Sequence, residues 1–221
     1  MNIIKGLITK DLLQLKSYRK SLVIFILIFV VTGIEQGIEE MGGYISIMLT
    51  LAFGMFSIAT FSYDEQAKAD RYIMTLPLTR KEIVLSKYVL IMLSTIVGAI
   101  LGIIVSSAIV YLNLKSLPDI QELISMAIGG IFGIGIVEAI QVPCIYKLGA
   151  ERGRVQIFIV IAIIAFILGG IFFLGEKMSI NLPVDLNLIN QFMPMILVVV
   201  TLLMYYISYR ISCKIYSKKE I

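Results

Sequence analysis

The sequence contains no histidine, only two cysteines, and few charged residues for its length of 221. Charged side chains make up 15% of the chain, whereas a soluble domain carries about 25% because its surface faces water. The lack of histidine removes the commonest metal ligand and the commonest side chain that exchanges a proton near neutral pH. The composition therefore excludes an ordinary water-facing globular surface and gives no support to a metal centre.

Long apolar runs take the place of the missing charge. Hydrophobic residues account for 59% of the chain, and a helix needs about 20 mostly apolar residues to cross a bilayer. Four uncharged runs reach this length; they cover residues 41–63, 88–114, 155–175 and 186–209. Two further runs, 21–34 and 123–146, are ended or interrupted by Glu35 and Glu138. Helices are the favoured way for such runs to enter lipid, because they close their backbone hydrogen bonds internally.

We therefore expect an all-α integral membrane protein with about six transmembrane helices in a single domain, residues 1–221. The expected spans lie at about 21–41, 43–62, 88–112, 121–145, 155–175 and 188–209. Basic residues determine the orientation, because positive charge is retained on the cytoplasmic side during insertion. With both termini in the cytoplasm, Lys115 and Lys177 alone among the 19 lysines and arginines fall outside.

The first 20 residues have the pattern of a helix that lies on the membrane surface. Leu7, Asp11 and Leu15 share one side at helical spacing, while Lys5 and Lys16 flank it. We predict an N-terminal interfacial amphipathic helix over residues 1–20. The alternative is a cytoplasmic extension of the first span.

The cytoplasmic loop between the second and third spans, residues 63–87, carries charges of both signs. The stretch 64–74 favours a short helix, which Leu76-Pro77 ends because proline disfavours helix in the residue before it. Thr79 and Glu82 form a capping-box pattern that predicts the start of the third helix. A stiff helical hairpin of this kind suits contact with a partner; the alternative is a solvated connector.

The loop between the fourth and fifth spans is short and contains two glycines for tight turning, Gly149 and Gly153. Its charged residues are Glu151, Arg152 and Arg154. It is either a second docking point or a tight turn with the positive charge typical of the cytoplasmic side.

The motifs of these two loops resemble those of a family of small bacterial type-2 ABC exporter permeases. In the first loop the matching stretches are Ser62-Tyr63-Asp64-Glu65, Asp70-Arg71-Tyr72, Leu76-Pro77, Arg80-Lys81-Glu82-Ile83 and Ser86-Lys87-Tyr88. In the second they are Pro143, Tyr146-Lys147-Leu148-Gly149 and Glu151-Arg152-Gly153-Arg154. The span layout agrees with the family over essentially the whole chain.

The resemblance implies the permease subunit of an ATP-driven exporter in the bacterial cytoplasmic membrane. It implies pairing with an identical or related second permease and with two separate ABC ATPase subunits. The cargo would be an amphipathic peptide, an antibiotic or a lipid-like molecule, moved out of the cell by alternating access. The residues expected to couple this chain to the ATPase are Tyr63, Asp64, Glu65, Lys68, Asp70, Arg71, Glu151, Arg152 and Arg154.

The sequence itself lacks the G-x-x-x-x-G-K-[ST] stretch of the usual ATP-binding loop. We therefore expect ATP and Mg²⁺ to be bound by the partner ATPase. This chain is expected to be no enzyme and to bind no cofactor, metal or nucleic acid itself.

Glu138 is the acidic residue that we place inside the membrane, with Gln141 on nearly the same helix face. A charge near mid-bilayer costs several kcal/mol, so such a residue normally faces protein or water. The two residues are either a polar point on the translocation pathway or at a subunit interface, or Glu138 is a buried carboxyl bonded to a neighbouring helix.

Two pairs of glycines, Gly98/Gly102 and Gly129/Gly133, have the spacing that lets helix backbones approach closely. They serve a sliding or dimer interface, or packing within the bundle.

The main alternative function is a secondary transporter or channel that works without an ATPase. Proteins of that class usually have broken helices or several charges near mid-membrane, for which Glu138 and Pro143 are the hints here. A membrane-embedded enzyme needs paired catalytic groups at membrane depth, and the sequence gives it little support.

Overall fold

A computed structural model describes residues 2–16, 20–21, 23–24, 26–28, 31, 38–73, 75, 77–115, 119–153, 156, 159, 162, 166 and 186–219. Within that part of the chain, α1 is Asn2–Leu15, α2 is Ile38–Gln66, α3 is Ala69–Ile73, α4 is Arg80–Leu114, α5 is Ile120–Leu148 and α6 is Leu186–Ser217. The described residues contain no strand. The expected all-α fold is confirmed, and a helix is present where the N-terminal helix was predicted.

Four of these helices are long and apolar enough to cross a membrane. The apolar stretches are Gly43–Gln66 in α2, Arg80–Asn113 in α4, Ile120–Leu148 in α5 and Met193–Ser217 in α6. They match the second, third, fourth and sixth predicted spans. The first and fifth predicted spans, 21–41 and 155–175, include residues outside the described part, so the total of six spans stays a prediction.

The start of α4 is fixed by the capping box that the sequence predicts. The Glu82 carboxylate accepts a hydrogen bond from the Thr79 backbone N–H at 2.8 Å, and the Thr79 hydroxyl accepts one from the Glu82 N–H at 3.3 Å. These bonds satisfy two backbone donors that a helix start leaves without a partner. Asp119 caps α5 in a similar way, since its side chain accepts from the Gln121 N–H at 2.9 Å.

The four long helices form one bundle in which α2 contacts both α4 and α5, and α5 contacts α6. The Tyr88 hydroxyl on α4 lies within hydrogen-bond distance of two α6 side chains, 2.6 Å from Ser208 Oγ and 2.8 Å from Ser212 Oγ. The short helix α1 packs against α2 and α4. The last turns of α2, α5 and α6 and the first turns of α4 lie at one end of the bundle, where α1 packs beside α2 and α4. We call this the basic end.

The loop between α2 and α4 differs from its prediction at one point. A separate helix over 64–74 is wrong, because α2 continues to Gln66, a turn follows at Ala67 and Lys68, and α3 then covers Ala69–Ile73. The reason is that the charges of Asp64 and Glu65 are matched by groups on other helices, as described below. The helix therefore extends beyond the uncharged run 41–63.

The two glycine pairs have different surroundings. A Cβ atom at Gly102 would lie 2.8 Å from the Ser46 carbonyl oxygen, and one at Gly98 would lie 2.6 Å from Phe53 Cβ, so both face α2. At Gly129 and Gly133 a Cβ atom meets no described residue within 4 Å. The first pair therefore serves packing within the bundle, where α4 approaches the backbone of α2.

Substitution of Gly102 by alanine tests this close approach. We expect Gly102→Ala to destabilise the protein by about 1–3 kcal/mol, the usual cost of overpacking, because its contact is backbone that cannot rotate away. The measurement is the melting temperature of the purified protein in detergent, followed as monodisperse protein that survives heating. The matched control is Gly133→Ala in α5; equal melting temperatures for the two variants would contradict the packing.

Candidate functional site

Four charged side chains from three helices meet at the basic end. Lys87 Nζ on α4 lies 2.9 Å from Asp11 Oδ2 on α1 and 2.6 Å from Asp64 Oδ2 on α2. Lys10 Nζ lies 2.6 Å from Asp64 Oδ1 and 3.1 Å from Asp11 Oδ1. We call Lys10, Asp11, Asp64 and Lys87 the charge quartet. With two positive and two negative groups, it is neutral as a whole.

Three members of the charge quartet are buried in spite of their charge, while the side chain of Lys10 is 35% exposed. The side chains of Asp11 and Lys87 are 1% and 7% exposed, and that of Asp64 is 11% exposed. Removing charges from water is costly, and their mutual attraction compensates for it only when geometry is good and the remaining hydrogen-bond positions are filled. Here Thr60 Oγ1 accepts from Lys87 Nζ at 3.3 Å, and Gln14 Nε2 donates to Asp64 Oδ1 at 3.2 Å.

Lys10 stays protonated in this setting. Burial alone would lower the pKa of Lys10, but its hydrogen bond to Asp64 and the charges of Asp11 and Asp64 outweigh burial and raise it above the ordinary value. The charge of Lys10 faces the two carboxylates from one side and that of Lys87 faces them from the other. The result is a neutral joint that holds α1 against α2 and α4.

A second joint connects α2 to the other loop. The Glu65 carboxylate at the end of α2 accepts a hydrogen bond from the Ala150 N–H, just after α5 ends. Gly149 makes room for it: its φ is +88°, and a Cβ atom there would lie 2.7 Å from Glu65 Oε1. Both the positive φ and the close approach require glycine at this position.

A third joint fixes the end of α6. The Arg80 guanidinium, in the first turn of α4, donates from Nη1 to the carbonyl oxygens of Tyr216 at 3.1 Å, Ser217 at 2.7 Å and Lys219 at 3.2 Å. The last carbonyls of a helix have no partner within the helix, and a cation near them is favoured by the helix dipole. The three joints together link all five helices that meet at the basic end.

Some of the predicted coupling residues are buried or bonded within the basic end, and others are exposed. Tyr63 is half-buried in the last full turn of α2, and Asp64 is inside the charge quartet, so its carboxylate is not on the surface. Glu65 is bound to Ala150. Glu65 is itself exposed, as are Lys68 in the turn, Arg71 in α3, Glu151 and Arg152. Asp70 belongs to α3, and Arg154 lies outside the described residues.

Inside the bundle, Glu138 on α5 is fully buried and its carboxylate accepts a hydrogen bond from the Tyr205 hydroxyl on α6. Gly54 on α2 lies against it, since a Cβ atom there would be 2.8 Å from Glu138 Oε1. Gln141 is also buried, 4% exposed. The arrangement is that of a carboxyl bonded to a neighbouring helix, which was one of the two interpretations of Glu138.

Sequence reasoning did not identify Lys10, Asp11, Lys87 or Tyr205 as partners in these contacts. Asp11 carried a signal, because it interrupts the apolar side of an amphipathic helix, where a lone carboxylate needs a cation. Lys87, at the predicted edge of the membrane, was the available cation. Nothing in the sequence pairs them, since Asp11 and Lys87 are 76 positions apart in the chain.

The charge quartet can be tested by removing charges singly and in a balanced pair. Lys87→Met leaves a net negative charge in the interior, and we expect a loss of up to about 3–5 kcal/mol of stability. In Asp11→Asn/Lys87→Met the neutral Lys10–Asp64 pair remains, so a substantial part of that loss should be recovered. Melting temperatures in detergent measure both, with Lys81→Met, an exposed lysine of α4, as the control. A double variant no more stable than Lys87→Met would show that charge balance does not hold the joint.

Tyr205→Phe tests the buried bond to Glu138. Deleting the hydroxyl leaves that carboxylate oxygen without its donor, and we expect a loss of about 1–3 kcal/mol. Tyr206→Phe is the matched control, because Tyr206 is the next residue and is 59% exposed. If both variants melt at the same temperature as the unmodified protein, the Tyr205–Glu138 bond does not stabilise the bundle.

Comparison with known proteins gives one match. A family model described as "ABC-2 family transporter protein" matches residues 6–217. That range contains the four long helices, both loops and the charge quartet. No curated protein and no solved structure matches the chain.

Members of the family are membrane permeases of ABC transporters. In bacteria they are multi-pass proteins of the cytoplasmic membrane, and they work with ABC ATPases. By this match and by its helical membrane architecture, the chain belongs to the ABC-2 family of transporter permeases.

Proposed function

We propose that this permease is an exporter subunit driven by separate ABC ATPase subunits that dock at the basic end. The proposal places the basic end in the cytoplasm, in line with the distribution of lysine and arginine along the sequence. The observation that supports it best is the Glu65–Ala150 bond, because it joins the two loops that were expected to contact the ATPase.

In this proposal the two loops act as one body. The turn at Lys68 and α3 follow α2 directly, and the exposed Glu151 and Arg152 follow Ala150. A displacement of either loop is transmitted to α2 and α5 through the Glu65–Ala150 bond. It is transmitted to α1 and α4 through the charge quartet. Closure of the ATPase subunits on ATP would thereby move several helices together between inward and outward access.

Four of the residues offered to the ATPase are on the surface of this body. Lys68, Arg71, Glu151 and Arg152 are exposed, and Asp70 and Arg154 complete the proposed set. Asp64 and Glu65 would act indirectly, by fixing α1 and Ala150 in place. Tyr63 would support the last turn of α2.

The complete transporter would contain two ATPase subunits, which bind ATP and Mg²⁺, and a second permease that is identical or related. The lack of a G-x-x-x-x-G-K-[ST] stretch in this chain supports the assignment of ATP binding to a partner. A second permease would bury part of the apolar surface that the described residues of α4 and α6 leave exposed, which includes Ile100, Ile104, Met195 and Leu203.

For the cargo we propose an amphipathic peptide, an antibiotic or a lipid-like molecule. Such molecules partition into the bilayer, and a bundle with wide apolar faces can receive them from lipid. The loop motifs also resemble those of the membrane subunit of the phenol-soluble modulin exporter, which favours an amphipathic peptide among the three.

Asp70→Ala/Arg71→Ala tests the coupling role of the first loop. We expect normal insertion and continued ATP hydrolysis but loss of export, because the ATPase would no longer move the helices. The complete transporter is reconstituted in vesicles, and ATP turnover and transport of a fluorescent amphipathic peptide are measured together. The matched control is Lys115→Ala/Glu122→Ala, which removes one base and one acid, both exposed, at the opposite end of the bundle.

Two results would contradict the proposal. Export at the normal rate by the Asp70→Ala/Arg71→Ala transporter would show that the loop does not couple ATP hydrolysis to transport. Transport by this chain in vesicles that contain no ATPase would instead establish a secondary transporter or channel.

A further inference from the structure

A cavity of about 390 Å³ lies at the basic end, between the two loops and the C-terminal tail. Its apolar wall includes Phe61, Ile83 and Tyr146. Its charged lining comes from Asp64, Glu65, Lys68, Arg71, Lys87 and Lys219. The position at the ends of the helices, next to the exposed turn at Lys68, makes it accessible from the water that surrounds the loops.

The charges around this cavity do not cancel. Asp64 and Lys87 belong to the neutral charge quartet, in which Lys87 Nζ lies 2.9 Å from Asp11 Oδ2, 2.6 Å from Asp64 Oδ2 and 3.3 Å from Thr60 Oγ1. The remaining lining charges are three cations, Lys68, Arg71 and Lys219, against the one carboxylate of Glu65. That carboxylate already accepts the Ala150 N–H. The described residues that line the cavity therefore carry a formal net charge of about +2.

The donors on two of these cations are available. Among the described residues, the Lys68 ammonium and the Arg71 guanidinium have no hydrogen-bond or ion-pair partner, and both side chains are exposed. They are three positions apart across the turn into α3, so both can reach one ligand on the same side of the loop. Arginine presents a planar pair of donors that matches phosphate oxygens, and lysine adds a mobile point charge.

The backbone at Lys68 adds an independent observation. Its φ is +48°, in the left-handed region that few residues other than glycine and asparagine adopt. A lysine at such a position carries a conformational cost, and strain of this kind concentrates at ligand-binding and switch segments. Here it places a cationic side chain at the opening of the cavity.

We propose that this cavity binds a phosphate group, held by Lys68 and Arg71 with Lys219 nearby. A phosphate at neutral pH carries between one and two negative charges, which matches the net charge of the cavity better than a single carboxylate does. The 390 Å³ volume also leaves room for the group that carries the phosphate, against the apolar wall. The bound phosphate would tie the turn before α3 to the C-terminal tail and stiffen the loop. Lys68 and Arg71 are also among the residues offered to the ATPase, but phosphate binding by the chain alone does not require ATPase coupling.

Titration of the purified, delipidated full-length chain with inorganic phosphate tests the proposal. Binding is measured by calorimetry at constant ionic strength, with chloride replaced by phosphate, in the absence of any ATPase. We expect saturable binding of one phosphate. Lys68→Gln/Arg71→Gln should bind at least about ten-fold more weakly, as expected when charge-assisted hydrogen bonds are lost.

The control variant is Lys81→Gln/Lys147→Gln, which removes two exposed cations of the same end of the bundle that do not line the cavity. It should keep the affinity of the unmodified protein. No saturable binding at millimolar phosphate, or an equal loss of affinity in both double variants, would overturn the proposal. A monodisperse elution profile identical to that of the unmodified protein shows that the loss in Lys68→Gln/Arg71→Gln is not due to misfolding.

The source of the phosphate is distinguished by repeating the titration in nanodiscs. A lipid headgroup as the ligand predicts that phosphatidylglycerol in a phosphatidylcholine nanodisc competes with inorganic phosphate, and that Lys68→Gln/Arg71→Gln removes the competition. A soluble phosphate compound as the ligand predicts the same phosphate affinity in both lipid compositions. Competition by phosphatidylglycerol that is unchanged in Lys68→Gln/Arg71→Gln would contradict a site at these two residues.

Discussion

The structure depends on four charges, three of them buried, at the point where α1, α2 and α4 meet. Lys87 reaches both Asp11 and Asp64, and Lys10 reaches the same two carboxylates from the other side. A buried ion pair adds little to stability compared with apolar residues of the same size, but loss of one partner leaves an unmatched charge in the interior. The charge quartet therefore acts mainly as a constraint on position. α1 has one place in which all four charges are matched.

Because of this constraint, the helices at the basic end hold fixed positions relative to one another. Contacts made only by apolar side chains let helices slide over one another at low cost, whereas directed charge and hydrogen-bond contacts do not. With the Glu65–Ala150 and Arg80–α6 joints added, the ends of five helices are fixed to one another through polar groups. Such an end suits a transporter permease, because a force applied at the loops is carried into the membrane by several helices at once.

The sequence predicted the features that depend on local pattern. Apolar runs placed four long helices, and the Thr79–Glu82 spacing placed the first residue of α4, because a cap involves neighbours in the chain. The end of α2 was not predicted, because Asp64 and Glu65 read as surface residues when their partners are unknown. Those partners, Lys87 and Ala150, come from distant parts of the chain. A bond from Glu138 to a neighbouring helix was one of the interpretations made from the sequence, but Tyr205 was not identified as its donor.

The account requires the basic end to face the cytoplasm, and one labelling experiment tests this most directly. Lys68→Cys is introduced into a chain whose two native cysteines are replaced by alanine, and a membrane-impermeant maleimide is applied to intact cells and to inverted vesicles. The account predicts labelling of position 68 in inverted vesicles and none in intact cells. Labelling in intact cells would place the loops outside, where no ATPase could reach them, and would contradict the account.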